Sequence, residues 1–156
     1  MQSNEATDLF NKARDYAFRL LKFRMRSEKE LRQRLKKKKF EESIIERVIN
    51  FLREKEFVND KEFARAWVES RLKRPLGFRR IKQELQIKGI DKKIIDDVLA
   101  IAESNYDEDS IVLELAKRRL KRLKGIEPRK IKSRLYSYFL RRGFSPDVIS
   151  DIIAQL

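Results

Sequence analysis

Residues 31–49, LRQRLKKKKFEESIIERVI, decide the fold of this chain, because their apolar pattern recurs twice further along the sequence. The second copy is IKQELQIKGIDKKIIDDVL at 81–99, and the third is LYSYFLRRGFSPDVISDII at 135–153. Each copy reads as a helical segment carrying basic residues, a turn, and a second segment rich in isoleucine and acidic residues. Recurrence of one unit at offsets of 50 and then 54 residues predicts a tandem array of repeats.

The apolar residues of each copy are spaced by three and four, which is the period of an α-helix. Glycine and proline are scarce, at four and three residues. We therefore expect an all-α fold, an elongated tandem array of three three-helix repeats with about nine helices. The expected repeats span 1–59, 60–108 and 109–156 of one continuous array. The eight recurring apolar positions are Leu31, Leu35, Phe40, Ile44, Ile45, Val48, Ile49 and Leu52, then Ile81, Leu85, Ile90, Ile94, Ile95, Val98, Leu99 and Ala102, then Leu135, Phe139, Phe144, Val148, Ile149, Ile152, Ile153 and Leu156.

Several helix starts are predicted from short polar side chains. Thr7 is expected to cap the first helix, with Leu9 facing the core. Ser27 and Glu30 form an S-x-x-E capping box that starts the second helix. The third repeat is expected to open near Ser110.

The turn inside each copy is predicted to be left-handed. Gly89 and Gly143 stand where the residue after a helix end adopts a positive φ. The first copy has Lys39 at this place, so we expect Lys39 to adopt φ > 0 at a cost of about 1 kcal/mol.

Composition narrows the classes of function. The net charge is +14 and the pI is about 10.1, which favours a polyanionic partner. Cysteine and histidine are both absent, which removes disulfides, thiolate chemistry and the commonest general base. No apolar run is long enough to span a bilayer, and the first ten residues lack the features of a secretory signal. A cytoplasmic protein without membrane contact is expected.

Positive charge is phased with the repeats. Residues 19–39 hold eleven bases against two acids, 71–82 hold six against none, and 117–134 hold ten against one. The intervening regions are acidic, with four bases against seven acids in 41–62 and two against seven in 91–109. A solvated face of a lysine-rich protein is one explanation. A basic stripe along one side of the array is the other, and the recurrence favours it.

Signals of catalysis are absent or weak. No glycine-rich phosphate loop is present, and Asp96 and Asp97 read as surface acids rather than a magnesium site. Tyr136 and Tyr138 lie near arginines, but a tyrosine nucleophile without any histidine is incomplete. Aromatic side chains could also stack nucleic-acid bases. Most of them fall on the inward helical phase, so Phe63, Trp67, Phe139 and Phe144 are interpreted as core, whereas both interpretations stay open for Phe23, Phe78 and Tyr136. We expect neither an enzyme nor a cofactor.

The combined motifs resemble the RecX family of bacterial modulators of the recombinase RecA, over roughly residues 13–156. At Lys39 and Glu56 the chain departs from the glycine that the family often has. The matching motifs are Ser27-x-x-Glu30-Leu31, Asn59-Asp60-x-x-Phe63-Ala64, Arg71, Gly77, Glu84-Leu85-x-x-Lys88-Gly89-Ile90 and Arg141-Arg142-Gly143-Phe144 followed by Val148-Ile149.

The resemblance implies a non-enzymatic monomer that lies in the groove of the RecA–DNA filament. There it would block extension or promote disassembly, restraining strand exchange, coprotease activity and the SOS response in DNA repair and recombination. Single- or double-stranded DNA would be a secondary contact. The alternative is a general DNA-binding tri-helical array without a recombinase partner.

Arginine is the preferred side chain for forked contacts to phosphate or carboxylate. The residues predicted to bind the partner or DNA are Arg32, Lys36, Arg71, Arg74, Arg79, Arg80, Arg118, Arg119, Arg122, Arg141 and Arg142.

Overall fold

The computed structural model describes residues 2–156, and this range contains nine α-helices and no strand, as the sequence predicts. Three consecutive helices form each repeat. The helices are α1 (Gln2–Phe23), α2 (Glu28–Lys37), α3 (Glu42–Glu54), α4 (Asp60–Leu72), α5 (Phe78–Ile87), α6 (Lys92–Ser104), α7 (Glu108–Arg122), α8 (Pro128–Arg141) and α9 (Pro146–Gln155).

Each repeat has a hydrophobic core of its own. In every repeat the first and third helices pack together, and the second helix packs on both of them. Leu31, Ile49 and Leu52 are fully buried in the first core, Ile81 and Leu85 in the second. The third core is built around Phe139 and Phe144, whose rings meet edge to face with centroids 5.9 Å apart, and both are fully buried.

The array is elongated rather than folded into one compact body. Its accessible surface is 10,754 Å² for a mass of 18.8 kDa. A compact monomer of this mass exposes about 8,300 Å². The excess follows from the three separate cores, because each repeat keeps most of its outer surface in solvent.

The predicted left-handed turns are confirmed. Lys39 has φ 67°, against 77° at Gly89 and 88° at Gly143. In each turn the backbone amide of the next apolar residue donates a hydrogen bond to a carbonyl of the preceding helix, as in the 3.3 Å bond from Phe40 N to Leu35 O. Glu56 adopts φ 58° in the same motif after α3, so both positions that depart from the family's glycine keep the left-handed geometry.

Two expectations about α1 need correction. α1 begins at Gln2, so Thr7 lies inside it and does not cap it, because the residues before Thr7 include no helix breaker. Leu9 is 41% exposed instead of facing the core. The third repeat does open near Ser110, as expected: α7 starts at Glu108, and its cap is Asp107, whose carboxylate accepts from Ser110 N at 3.2 Å.

The capping box of α2 is half formed. Ser27 Oγ accepts from Glu30 N at 3.2 Å, as expected. The Glu30 carboxylate instead pairs with Arg24 and with Lys88 of the second repeat. Both residues of the expected box therefore contact the second repeat, because Ser27 Oγ also donates to Lys88 O.

Candidate polyanion-binding site at the joints between repeats

The second helices of the three repeats meet end to end. The N-terminus of α2 contacts the C-terminus of α5, and the N-terminus of α5 contacts the C-terminus of α8. In each contact the positive end of one helix dipole faces the negative end of the next, which is favourable. We call the contact between the first two repeats joint 1–2 and the other joint 2–3.

Joint 2–3 is made largely by backbone. Gly77 N donates to Arg142 O at 2.8 Å, and Arg79 N donates to Gly143 O at 3.1 Å. The Arg142 guanidinium also donates to Pro75 O at 3.2 Å. A methyl group on Gly77 would overlap the backbone of Gly143, and one on Gly143 would overlap Arg80. Both glycines are therefore required for this close approach.

Joint 1–2 is made by side chains. Ser27 Oγ donates to Lys88 O at 2.7 Å, and Lys29 Nζ donates to Ile87 O at 3.3 Å. Asp60 Oδ1 accepts from Glu28 N at 2.9 Å, which ties the start of α4 to the start of α2. The two joints thus share one arrangement of helix ends but differ in the groups that close them.

Carboxylates neutralise joint 1–2. Glu30 lies 3.4 Å from Lys88 Nζ and also pairs with Arg24. Burial acts to raise the pKa of Glu30, but the hydrogen bonds and charges of Arg24 and Lys88 outweigh it, and the pKa is lowered. Burial raises the pKa of Asp60, against the hydrogen bond from Glu28 N, and the negative charge of Glu28 adds to this rise. This joint is a structural contact with little unpaired charge.

Joint 2–3 instead gathers arginines around an open groove. Six of the predicted residues line two adjoining depressions that share Arg80 and Arg141. They come from α4, the loop after it, α5 and the end of α8, so the joint itself assembles them. We call this set the arginine groove; its members are Arg71, Arg74, Arg79, Arg80, Arg141 and Arg142.

One carboxylate in the described structure, that of Glu84, forms ion pairs with arginines of the groove. It accepts from Arg71 Nε at 2.7 Å and from Arg80 Nε at 3.4 Å, and it also accepts from the indole of Trp67 at 2.9 Å. Within residues 2–156, no carboxylate pairs with Arg74 or Arg141, and the same holds for Arg79 and Arg142. The groove therefore keeps unpaired guanidinium groups, which suit phosphate or carboxylate oxygens.

Tyr138 extends the groove toward α7. The guanidinium carbon of Arg119 lies 3.9 Å from the centre of the Tyr138 ring, and that of Arg142 lies 4.7 Å from it. These cation–π contacts hold two arginines beside one ring. From the sequence, Tyr138 was a candidate only as a nucleophile. The spacing of Tyr138 and Arg142 along one helix could have indicated their contact, whereas Arg119 lies on a different helix.

Trp67 and Glu84 are the other functional candidates that sequence reasoning missed. Trp67 lies under Arg71 at 4.8 Å and near Lys88 at 5.2 Å, measured to the ring centre. Trp67, Arg71 and Glu84 thereby connect the arginine groove to Lys88 of joint 1–2. The interpretation of Trp67 as core was correct in part, since its ring packs against the second core.

Five predicted residues lie outside the arginine groove, and Arg119, beside Tyr138, is one of them. Arg32 pairs with Glu46 and Glu28 inside the first repeat, which neutralises it. Arg118 pairs with Glu114 at 2.5 Å on the exposed side of α7. Lys36 on α2 and Arg122 at the end of α7 are exposed.

The described part of the chain contains no cluster of acidic residues arranged to hold a metal ion. Among the same residues, no helix combines the length and the apolar character needed to cross a membrane.

Three family models match the chain, one for each repeat. They describe the first, second and third three-helix domains of RecX and match residues 13–52, 59–99 and 107–153.

Two curated relatives, each named Regulatory protein RecX, are similar over most of this chain. The relative from Chlorobium phaeobacteroides is 36% identical, covering 93% of this chain and 93% of its own length. The relative from Clostridium acetobutylicum is 35% identical, covering 95% of this chain and 69% of its own length.

The crystal structure of RecX from Lactobacillus salivarius superposes with a TM-score of 0.83 at 28% identity. The superposition covers 96% of this chain and 97% of that one. The agreement extends over all three repeats, so the order and stacking of the helices are shared.

Proposed function

The chain belongs to the RecX family of regulatory proteins, and from that premise we propose that it is a negative modulator of RecA. It binds in the groove of the RecA–DNA filament and blocks extension of the filament or promotes its disassembly. Strand exchange and the coprotease activity of the filament are restrained as a result. The protein acts by binding, as a monomer, and without a cofactor.

The observation that carries this proposal is the arginine groove at joint 2–3. Six arginines from two repeats surround an open depression served by one carboxylate, Glu84. Carboxylates on an acidic surface of a protein filament, or the phosphates of its DNA, would form ion pairs with the unpaired guanidinium groups. The elongated array supplies further contacts along the filament, and several weak contacts on one chain raise the total affinity.

The test is the rate of ATP hydrolysis by RecA on single-stranded DNA with sub-stoichiometric amounts of the protein. The natural chain is expected to slow hydrolysis. The variant Arg79→Glu/Arg141→Glu reverses two exposed groove residues that pair with no carboxylate in the described structure. It should lose at least ten-fold in inhibitory potency while its helical content and thermal stability stay unchanged.

A matched control separates position from net charge. Lys61→Glu/Lys92→Glu changes the net charge by the same amount at exposed positions on α4 and α6, outside the groove. This control should inhibit within about two-fold of the natural chain, since distant surface charges act weakly at physiological salt. Inhibition that survives reversal of Arg79 and Arg141 would reject the groove as the contact, and no inhibition by the natural chain would reject the proposed function.

A second candidate is a general DNA-binding array without a recombinase partner. Unpaired guanidinium groups at joint 2–3 also suit a phosphate backbone. The two functions differ in a pull-down with RecA in the absence of DNA. Retention of the natural chain supports the modulator, whereas salt-sensitive DNA binding without RecA retention supports the alternative.

A further inference from the structure

The third repeat has more residues between the buried positions of its first two helices than the other repeats do. The buried residues Ala116 and Leu135 are 19 positions apart. The equivalent buried residues Val68 and Ile81 are 13 positions apart in the second repeat, and in the first repeat 14 positions separate Ala17 from Leu31.

All of the added length is helical. Compared with α4 and α5, which have 13 and 10 residues, α7 has 15 and α8 has 14. The segment that joins the helices is five residues long in both repeats, at 73–77 and at 123–127. Because an α-helix rises about 1.5 Å per residue, α8 extends roughly 6 Å further from its core than α5 does.

The end of this longer helix pair is strongly basic and open. Residues 121–130, KRLKGIEPRK, which we call the basic tip, hold five bases and one acid, Glu127. Within the described chain none of the five bases pairs with a carboxylate, and all five are exposed. A methyl group placed on Gly125 would meet no atom within 4 Å. The five bases are Lys121, Arg122, Lys124, Arg129 and Lys130.

The chemistry of the basic tip favours nucleic acid over protein. Its two large apolar side chains, Leu123 and Ile126, are half-buried, and no aromatic residue lies in the segment. Protein interfaces depend on buried aromatic and apolar anchors, which this surface lacks. Closely spaced exposed lysines and arginines without such anchors are the usual way to bind a phosphate backbone independently of base sequence.

We propose that the basic tip is a second binding site, for the phosphodiester backbone of nucleic acid, and that it is distinct from the arginine groove. The two sites lie at opposite ends of α8, whose 14 residues span roughly 20 Å. The tip contacts phosphates, and Arg129 and Lys130 in the first turn of α8 bring their charges to the positive end of the helix dipole. The proposal deepens the proposed function, on which it rests for the presence of DNA at the target, but its test contains no RecA.

The experiment compares two variants of the full chain that lose the same charge. Lys121→Ala/Lys124→Ala/Arg129→Ala/Lys130→Ala removes four bases of the tip. Lys12→Ala/Lys55→Ala/Lys61→Ala/Lys92→Ala removes four exposed lysines from other surfaces. The affinity of each chain for a fluorescein-labelled 30-nucleotide single strand is measured by anisotropy at a series of salt concentrations. Circular dichroism and a thermal melt establish that all the chains are folded.

The tip variant is expected to bind at least ten-fold more weakly than the natural chain. The slope of log affinity against log salt is negative, and each lost phosphate contact makes it shallower by about 0.7. Four lost contacts should therefore make it shallower by about 3. The control should stay within two-fold, with an unchanged slope. A variant that keeps the positive charges but changes the side chains, Lys121→Arg/Lys124→Arg/Lys130→Arg, should bind as the natural chain does.

Equal weakening by the tip variant and the control would overturn the proposal, because net charge and not position would then explain binding. Unchanged DNA binding by the tip variant would also overturn it, because the four bases would then contact no phosphate. Failure of the natural chain to inhibit RecA rejects the proposed function while leaving this DNA measurement readable.

Discussion

Gly77 N donates a 2.8 Å hydrogen bond to Arg142 O, although 65 positions separate the two residues in the chain. This bond joins the residue just before α5 to the residue just after α8, and it belongs to the joint that assembles the arginine groove. The neighbouring Gly143 is buried and adopts φ 88°. The stability of joint 2–3 and the assembly of the arginine groove therefore depend on the same few backbone atoms.

Gly143→Ala is expected to destabilise the protein far more than Gly125→Ala. Both residues have positive φ, at 88° and 87°, so both substitutions incur a left-handed strain of about 1 kcal/mol. A methyl group on Gly143 also overlaps the backbone of Arg80, whereas Gly125 is open. Urea denaturation should give a loss of roughly 3 kcal/mol or more at Gly143 and about 1 kcal/mol at Gly125. Equal losses would contradict the packing at joint 2–3.

Lys39→Gly is expected to stabilise the first repeat. Lys39 carries a side chain at φ 67°, and its exposed position leaves no packing to lose. Glycine relieves the left-handed strain but loosens the unfolded chain, so the net gain should be about 0.5 kcal/mol. Lys36→Gly is the control, since this exposed residue lies within α2 and glycine there should cost about 1 kcal/mol. A loss of stability from Lys39→Gly would contradict the turn geometry.

Glu84→Ala is expected to lower the free energy of unfolding by about 2 kcal/mol, because it leaves the half-buried Trp67 indole and Arg71 without their acceptor. Trp67 is the single tryptophan of the sequence, so its fluorescence emission should shift to longer wavelength as the ring gains solvent. Glu114→Ala removes an exposed pair with Arg118 and should cost less than about 0.5 kcal/mol. An unchanged emission spectrum in Glu84→Ala would contradict the assigned contact.

Asp60→Asn is expected to stabilise joint 1–2 in a pH-dependent way. The pKa of Asp60 is raised in the folded state, mainly by burial, so the charged form is disfavoured there. The stability linked to this group is complete below its unfolded pKa and is lost as pH rises through the folded pKa. Asparagine keeps an oxygen that accepts the hydrogen bond from Glu28 N, but it is uncharged at every pH.

In thermal melts at pH 7, Asp60→Asn should therefore have a higher melting temperature than the natural chain. The difference in melting temperature should shrink toward pH 3. Asp60→Ala is the control for the hydrogen bond, because it removes the charge and also leaves Glu28 N without its partner. An advantage of Asp60→Asn that persists unchanged in acid would contradict the raised pKa of Asp60.

Features that depend on neighbours along the chain were predictable. The recurring apolar positions indicated three helices in each repeat, and the place of Lys39 after a helix predicted its positive φ. The caps of the helices were less predictable. Thr7 is a suitable cap but lies inside α1, and α7 starts near Ser110 as expected but is capped by Asp107. Several polar residues near a helix start can cap it, and sequence alone does not select one.

The candidate site was predictable only in part. The list of arginines contained all six members of the arginine groove, but it also contained Arg32 and Arg118, which carboxylates neutralise. Glu84 and Tyr138, which position the groove arginines, carried no recognisable signal as partners of Arg71 and Arg119. Charge density along the sequence cannot distinguish a paired base from an unpaired one.

The sequence by itself determined the repeats, the helices and their left-handed turns, because these depend on hydrogen bonds and apolar contacts between residues a few positions apart. Only the tertiary structure decided which charges gather. The end of α8 lies against the start of α5, so Arg141 and Arg142 meet Arg79 and Arg80 across more than 60 positions of sequence. That meeting depends on how two separate cores are oriented by Gly77 and Gly143, and no local pattern encodes that orientation.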